Sequence, residues 1–302
     1  MSKIVPHLWF DKEAQEAVEF YTSIFPNSKV TNLTTVEDTP SGNCDVVSFE
    51  LWDRQFMAIS AGSLFKFNPS ISFLVNIDSS QGEEAKKQLD YIWDRLSEGG
   101  RILMPLGKYP FSERYGWIQD RYGLSWQLIL SDPNGDERPS IIPSLLFVDD
   151  RQGQAAAAGQ FYQSVFKNTK AGQLLFYGAN QEPNKEGTVM FSDFRLENTW
   201  FIAMDAGLKH DFTFNESISF VVNCNDQEEI NYYWENLSAV PEAEQCGWVK
   251  DKFGISWQII PAVLSDMMAC GNQERVKRVA QAFLKMKKFN IDELQKAYRD
   301  EL

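Results

Sequence analysis

The chain is predicted to be an α+β protein made of two tandem copies of one domain, each copy holding two modules of one strand, one helix and three strands. Three observations predict this. The block Trp117-Ile118-Gln119-Asp120-Arg121-Tyr122-Gly123-Leu124-Ser125-Trp126-Gln127 returns as Trp248-Val249-Lys250-Asp251-Lys252-Phe253-Gly254-Ile255-Ser256-Trp257-Gln258, 131 positions later (248 − 117). Earlier segments repeat in the same order: Pro6-His7-Leu8-Trp9-Phe10 matches Pro143-Ser144-Leu145-Leu146-Phe147, and Phe65-Lys66-Phe67-Asn68 matches Phe212-Thr213-Phe214-Asn215. Within each copy, short β-rich runs alternate with stretches of helical period.

The elements follow in order. Lys3 to Phe10 is a short apolar strand. Ala14, Ala17, Val18, Tyr21 and Phe25 recur at helical spacing, so a helix buries that side, and Pro26-Asn27-Ser28 stops it. Lys29 to Val36 is β-rich, and Val46 to Trp52 with Gln55 to Ser60 forms a hairpin around Asp53-Arg54. The order then restarts. Ile71 to Asn76 is a strand, and Glu83 to Leu96 is a helix with Ala85, Leu89, Ile92, Trp93 and Leu96 on one side. Arg101 to Met104, Glu113 to Gln119 and Ser125 to Leu130 are three strands. The second copy repeats this plan. Its shrinking offset places extra residues of the first copy around Gly82 to Glu84 and around Gly100 to Glu113. The expected boundaries are a first domain at 1–131, a linker at 132–140 rich in turn formers, a second domain at 141–261 and a helical extension at 262–302. In the extension, Asn272 to Lys288 reads as an amphipathic helix with a basic face, and Ile291 to Tyr298 as another, starting near Asn290 or Asp292. The basic face is expected to dock on the chain's own acidic surface.

Composition narrows the function. The formal net charge is −13, which repels phosphate backbones and anionic membranes, so neither nucleic acid nor membrane is an expected partner. Cys44, Cys224, Cys246 and Cys270 are scattered, with no C-x-x-C pair, as in reduced thiols of a cytoplasmic protein. The N-terminus lacks the apolar core of a signal peptide, and no apolar run is long enough to span a bilayer. Aromatic residues make up 14%, enough to line large cores or pockets.

The paired modules, a strand-end His7, Phe20-Tyr21 on the first helix and a closing D-x-x-G-x-x-x-[EQ] strand together resemble the vicinal oxygen chelate superfamily of glyoxalase I, bleomycin-resistance proteins and extradiol dioxygenases. Within it the chain is similar to the PhnB-like branch, labelled 3-demethylubiquinone-9 3-methyltransferase-like. His7-Leu8-Trp9-Phe10-Asp11, Glu16 to Tyr21, the run Phe65 to Phe73, both W-Q blocks and Lys285 to Asp292 carry that narrower match. The resemblance implies glyoxalase-like domains whose strands curl into an open cup that holds ligand or metal.

Metal-dependent members of such a fold use about four His and Glu donors, with open positions for substrate. Carried over residue by residue, His7 keeps the first position and Gln127 replaces the closing Glu. The middle positions fall near Ala58 and Ser72; in the second copy they become Ser144, Ala203, Ser219 and Gln258. An amide lacks the charge that offsets desolvation of a dication. No cofactor is therefore predicted, and a divalent metal is left with His7 and Gln127 as weak ligands. The expected ligand-binding residues are His7, Trp9, Phe67, Trp117, Gln127, Ser144, Phe214, Trp248 and Gln258, with the site near His7 and Gln127. Leu146 stands where the first copy has Trp9. Alternation on a strand puts Trp126 and Gln127 on opposite faces, which assigns Trp126, and Trp257 with it, to the core.

These residues support a small-molecule binding protein whose catalytic residues are not identified. The alternatives are a metal-dependent lyase, isomerase or dioxygenase, in which an ion stabilises oxyanion charge, and a structural or interaction role in which the second copy has lost its site. Methyl transfer is disfavoured: the chain has no G-x-G-x-x-G loop after a strand. A monomer or homodimer is expected.

Overall fold

The computed structural model describes residues 2–39, 41–132 and 138–301. Positions 133–137 of the expected linker lie outside the described residues. The first module is β1 (Ile4–Phe10), α1 (Ala14–Ile24), β2 (Lys29–Thr39), β3 (Gly42–Leu51) and β4 (Arg54–Ser60). The second is β5 (Ile71–Asp78), α2 (Glu83–Ser97), β6 (Arg101–Tyr109), β7 (Ser112–Gln119) and β8 (Ser125–Ser131). The third is β9 (Ile141–Phe147), α3 (Ala155–Val165), β10 (Thr169–Phe176), β11 (Val189–Leu196) and β12 (Thr199–Asp205). The fourth is β13 (Ile218–Cys224), α4 (Gln227–Leu237), β14 (Trp248–Lys250) and β15 (Ser256–Pro261). Three tail helices follow: α5 (Ala262–Met268), α6 (Gln273–Phe283) and α7 (Ile291–Arg299).

The strands form two mixed sheets, in the orders β14-β15-β13-β1-β4-β3-β2 and β10-β11-β12-β9-β5-β8-β7-β6. Modules therefore pair first with fourth and second with third, joined where β1 runs antiparallel to β13 and β5 antiparallel to β9. One compact unit comprises Met1–Thr22, Ser28–Lys66 and Phe214–Leu302; the other comprises Ser23–Asn27 and Phe67–Thr213. These units cut across the sequence copies at 1–131 and 141–261. Local periodicity finds the modules, but the partner of each central strand is a long-range choice that period cannot reveal.

The repeated block is a turn built around one buried carboxylate. Asp120 accepts hydrogen bonds from the backbone N–H of Tyr122 (2.8 Å) and Leu124 (3.1 Å) and from Trp126 Nε1 (2.9 Å). Asp251 does the same for Phe253 (2.8 Å), Ile255 (3.0 Å) and Trp257 Nε1 (2.8 Å). Gly123 and Gly254 sit at φ +85° and +90°, where a side chain is strained. The motif's Asp, Gly and Trp thus form one device, and both indoles are core residues, as alternation requires.

The fourth module lacks the strand that corresponds to β6. The second copy is shorter there by ten residues, as the drop in offset from 141 (234 − 93) to 131 (248 − 117) shows. The tail stands in its place: Cys246 and Gly247 donate their N–H to the carbonyls of Met286 and Lys287 at 2.9 and 2.7 Å. This also explains why the expected helix from Asn272 to Lys288 ends at Phe283. The tail buries Val279, Ala280, Phe289, Leu294 and Ala297. Its basic side chains reach acidic partners of the same unit, Lys277 to Glu37 (3.8 Å) and Lys287 to Glu244 (3.5 Å). Both are exposed pairs that add little stability. No helix among the described residues is long and apolar enough to cross a membrane.

Candidate functional site

In each unit the two central strands place the expected site residues on the face opposite a buried Phe–Trp pair, Phe220–Trp257 in the first and Phe73–Trp126 in the second. Residues paired across strands share a face. In the first unit the register runs His7, Ser219, Ser256, and His7 also pairs with Met57. Gln258 joins them, its Nε2 donating to Ser219 Oγ at 2.9 Å. In the second unit the matching row is Ser144 and Ser72, joined by Gln127. Gln127 Nε2 donates to Ser72 Oγ at 2.8 Å and to Ser144 Oγ at 3.5 Å.

The expected pairing of His7 with Gln127 is thereby corrected. His7 and Gln258 both stand beside Ser219, and Gln127 bonds Ser144, because each sheet takes one module from each copy. The expected middle positions shift too. Ala58 pairs with Leu8 and Ala203 with Leu145, both on the opposite face; Met57 and Ile202 stand beside the site positions. A one-residue slip in register exchanges the faces of a strand, and the sequence carries no mark of the correct one.

The two faces differ in how far they are closed. In the second unit Tyr115, two positions before Trp117, donates its hydroxyl to Gln127 Oε1 at 2.7 Å. Burial holds that phenol above its ordinary pKa, with Tyr109 adding to the effect, so it stays a donor. Trp117 Nε1 donates to Ser125 Oγ at 2.8 Å. Ile142, Trp200 and Ile202 form a buried cluster, packed by Leu74, Phe191 and Met204. Arg138 lies 3.6 Å over the Trp200 ring and bonds Asp193 at 2.7 Å. Every polar atom of the Gln127 side chain is satisfied and the apolar positions are filled.

The first unit lacks these contacts in the same places. Cys246 stands where the second unit has Tyr115, and its thiol turns to Leu284 O at 3.8 Å. Gln258 Oε1 therefore lacks that donor. Trp248 meets His7 and Trp9 edge-on, at ring separations of 5.8 and 6.1 Å. Ser256 Oγ, the counterpart of Ser125, is buried with no hydrogen-bond partner, and so is His7 Nδ1. His7 is only 5% exposed, and burial pushes its pKa down to about 4, so the ring is neutral near pH 7. Trp9 is fixed by a 2.7 Å bond from Nε1 to Gly62 O and by edge contact with Phe65. Trp9, Met57, Ile59 and Trp248 are half-buried, whereas Ile202 and Trp200 in the second unit are buried. The other two expected aromatics stand elsewhere in the chain order. Phe67 is half-buried near Gly123, and Phe214 is buried in the first unit.

The donor set does not fit a divalent metal. In the first unit it is one imidazole, one amide, the Ser219 and Ser256 hydroxyls and the Met57 thioether, and in the second it has no imidazole. A hard dication needs charged or several nitrogen and oxygen donors, and its histidine ligand is normally oriented by a second hydrogen bond, which His7 Nδ1 lacks. Among the described residues no group of three or more His, Cys, Asp or Glu is placed to hold a metal.

The family model described as 3-demethylubiquinone-9 3-methyltransferase matches residues 2–129 and 139–260. A Bacillus cereus PhnB protein, itself described as a 3-demethylubiquinone-9 3-methyltransferase, is 34% identical over 43% of this chain and 100% of its own, with TM-score 0.39. Glyoxalase I from Zea mays covers 88% of this chain and 96% of its own at 12% identity and TM-score 0.54, a likeness of fold. No curated protein matches the chain at a significant level.

Proposed function

The chain belongs to the 3-demethylubiquinone-9 3-methyltransferase family, and from that membership we propose that it binds a small, partly apolar molecule on the His7–Gln258 face of its first unit. One contrast carries this reading. On this face of the first unit His7 Nδ1 and Ser256 Oγ are buried without a partner, while their counterparts in the second unit, Ser144 and Ser125, are bonded by Gln127 and Trp117. A buried polar atom without a partner costs about 1–3 kcal/mol, and a ligand that bonds it recovers much of that cost. Half-buried Trp9, Trp248, Met57 and Ile59 supply apolar contact area beside it. The second unit acts as a structural partner with its own side chains in place of a ligand.

The family name carries methyl transfer, but both sheets are built of βαβββ-type modules, with no doubly wound nucleotide-binding layer, so that activity is not part of the proposal. A metal-assisted route is set aside on the donor set. Each unit completes its sheet within one chain, which favours a monomer.

A fragment screen by thermal shift and protein NMR tests the site. Aromatic fragments should stabilise the wild-type protein, lose binding in Gln258→Leu and keep it in Tyr115→Phe. If no fragment binds, or binding survives Gln258→Leu and is lost in Tyr115→Phe, the site is wrongly placed.

A further inference from the structure

We propose that the ligand of the first unit is a neutral, planar molecule with a hydrogen-bond donor and an acceptor on the same edge, the pattern of a lactam or cyclic amide. This rests on the His7–Gln258 face being the binding site. The argument is a census of what that face offers. Gln258 Oε1 accepts only, so it calls for an N–H or O–H on the ligand. Ser256 Oγ can donate, and a neutral imidazole offers one donor or one acceptor, so a carbonyl beside that N–H is met as well. Ser256 and Gln258 stand two positions apart on β15, and Ser256, Ser219 and His7 form one register row across β15, β13 and β1, so these groups meet the ligand from one face of the sheet.

Charge decides against ionic ligands. Lys250 pairs with Ser256 in register, and its ammonium already bonds Glu216 at 2.5 Å. Farther out, Glu50 pairs in register with Gln55 on β4 and bonds Lys29 at 3.1 Å. An anion set beside His7 would meet a neutral ring, and a cation would meet an amide and a hydroxyl, so either would be desolvated without a counter-charge. The edge-on arrangement of Trp9 and Trp248 suits a flat ring better than a branched aliphatic group.

Four bicyclic probes of similar size separate the cases: 2-quinolone, its O-methylated form 2-methoxyquinoline, 2-naphthoate and 2-naphthylmethylammonium. Each is titrated into the full chain and followed at the Trp248 indole N–H resonance, assigned with Trp248→Phe. The expected result is that 2-quinolone binds at least tenfold more tightly than the other three, and that Gln258→Leu removes the advantage. Binding of 2-naphthoate or the ammonium as tight as that of 2-quinolone overturns the neutral-ligand inference and leaves the site standing. Equal binding of 2-methoxyquinoline overturns the donor–acceptor edge. If none of the four shifts the resonance, the site assignment falls with it.

Discussion

His7 enters the folded state as a neutral imidazole, and that has a measurable consequence. Its pKa falls from 6.5 to about 4 because burial disfavours the charged ring. The unfolded chain takes up the proton near pH 6.5 and the folded one does not until about pH 4. The stability tied to a neutral His7 is thus fully present above pH 6.5 and is lost as the pH falls towards 4, about 3 kcal/mol in all. Denaturant unfolding of wild type and His7→Asn at pH 7 and pH 4 isolates this from the carboxylates: the variant should gain on wild type by about that amount at the lower pH. A pH-independent difference would remove the neutral-imidazole account. The buried carboxylates of the two turns make a second case. Asp120→Ala strips three donors of their acceptor at once, and a loss of about 3–5 kcal/mol in unfolding free energy is expected. At this scale the sequence showed a great deal. The Asp, Gly and Trp of the repeated block are visible as a unit, and alternation alone sets Gln127 on the face opposite Trp126. Ala58 and Ala203 were placed one residue off, because a strand's pattern does not state which of two neighbours faces its partner.

Among the elements, α2 packs closely on β7. A Cβ on Gly116 would come within 2.5 Å of Trp93 on α2, so Gly116→Ala must push the indole aside. A cost of about 1–3 kcal/mol, read from the denaturation midpoint, is expected. Tyr115 on the same strand closes the second unit's polar row, so Tyr115→Phe should destabilise by about 1–3 kcal/mol through an unsatisfied Gln127 Oε1, without affecting ligand binding. Strand and helix identities were legible from period alone, since α1, α2 and β1 carry clear apolar spacing. Tyr115 was not, because its role depends on the amide it meets across β7 and β8. The missing strand of the fourth module left a trace in the shorter second copy, but its replacement by the stretch at Met286 and Lys287 is tertiary and has no local signature.

For the whole molecule, the pairing of first with fourth module and second with third means that neither sequence copy holds a complete sheet. Residues 1–131 expressed alone should therefore lack the β13 partner of β1 and the β9 partner of β5. That fragment is expected to self-associate or stay unfolded, and to regain a folded, fragment-binding state when co-expressed with 132–302, as judged by NMR dispersion. A stable folded monomer of 1–131 would contradict the pairing. The duplication itself was plain from the order of its motifs, whereas the exchange of partners lay beyond any local pattern. That exchange also sets a timetable for folding. β1 must wait for β13, with Ile4 opposite Val222, 218 positions away (222 − 4). The second unit, almost continuous from Phe67 to Thr213, leaves the ribosome whole while the first is still half made. Long-range pairing of this kind slows folding. The strand that carries His7 is synthesised well before β13 and stays without that partner until β13 follows.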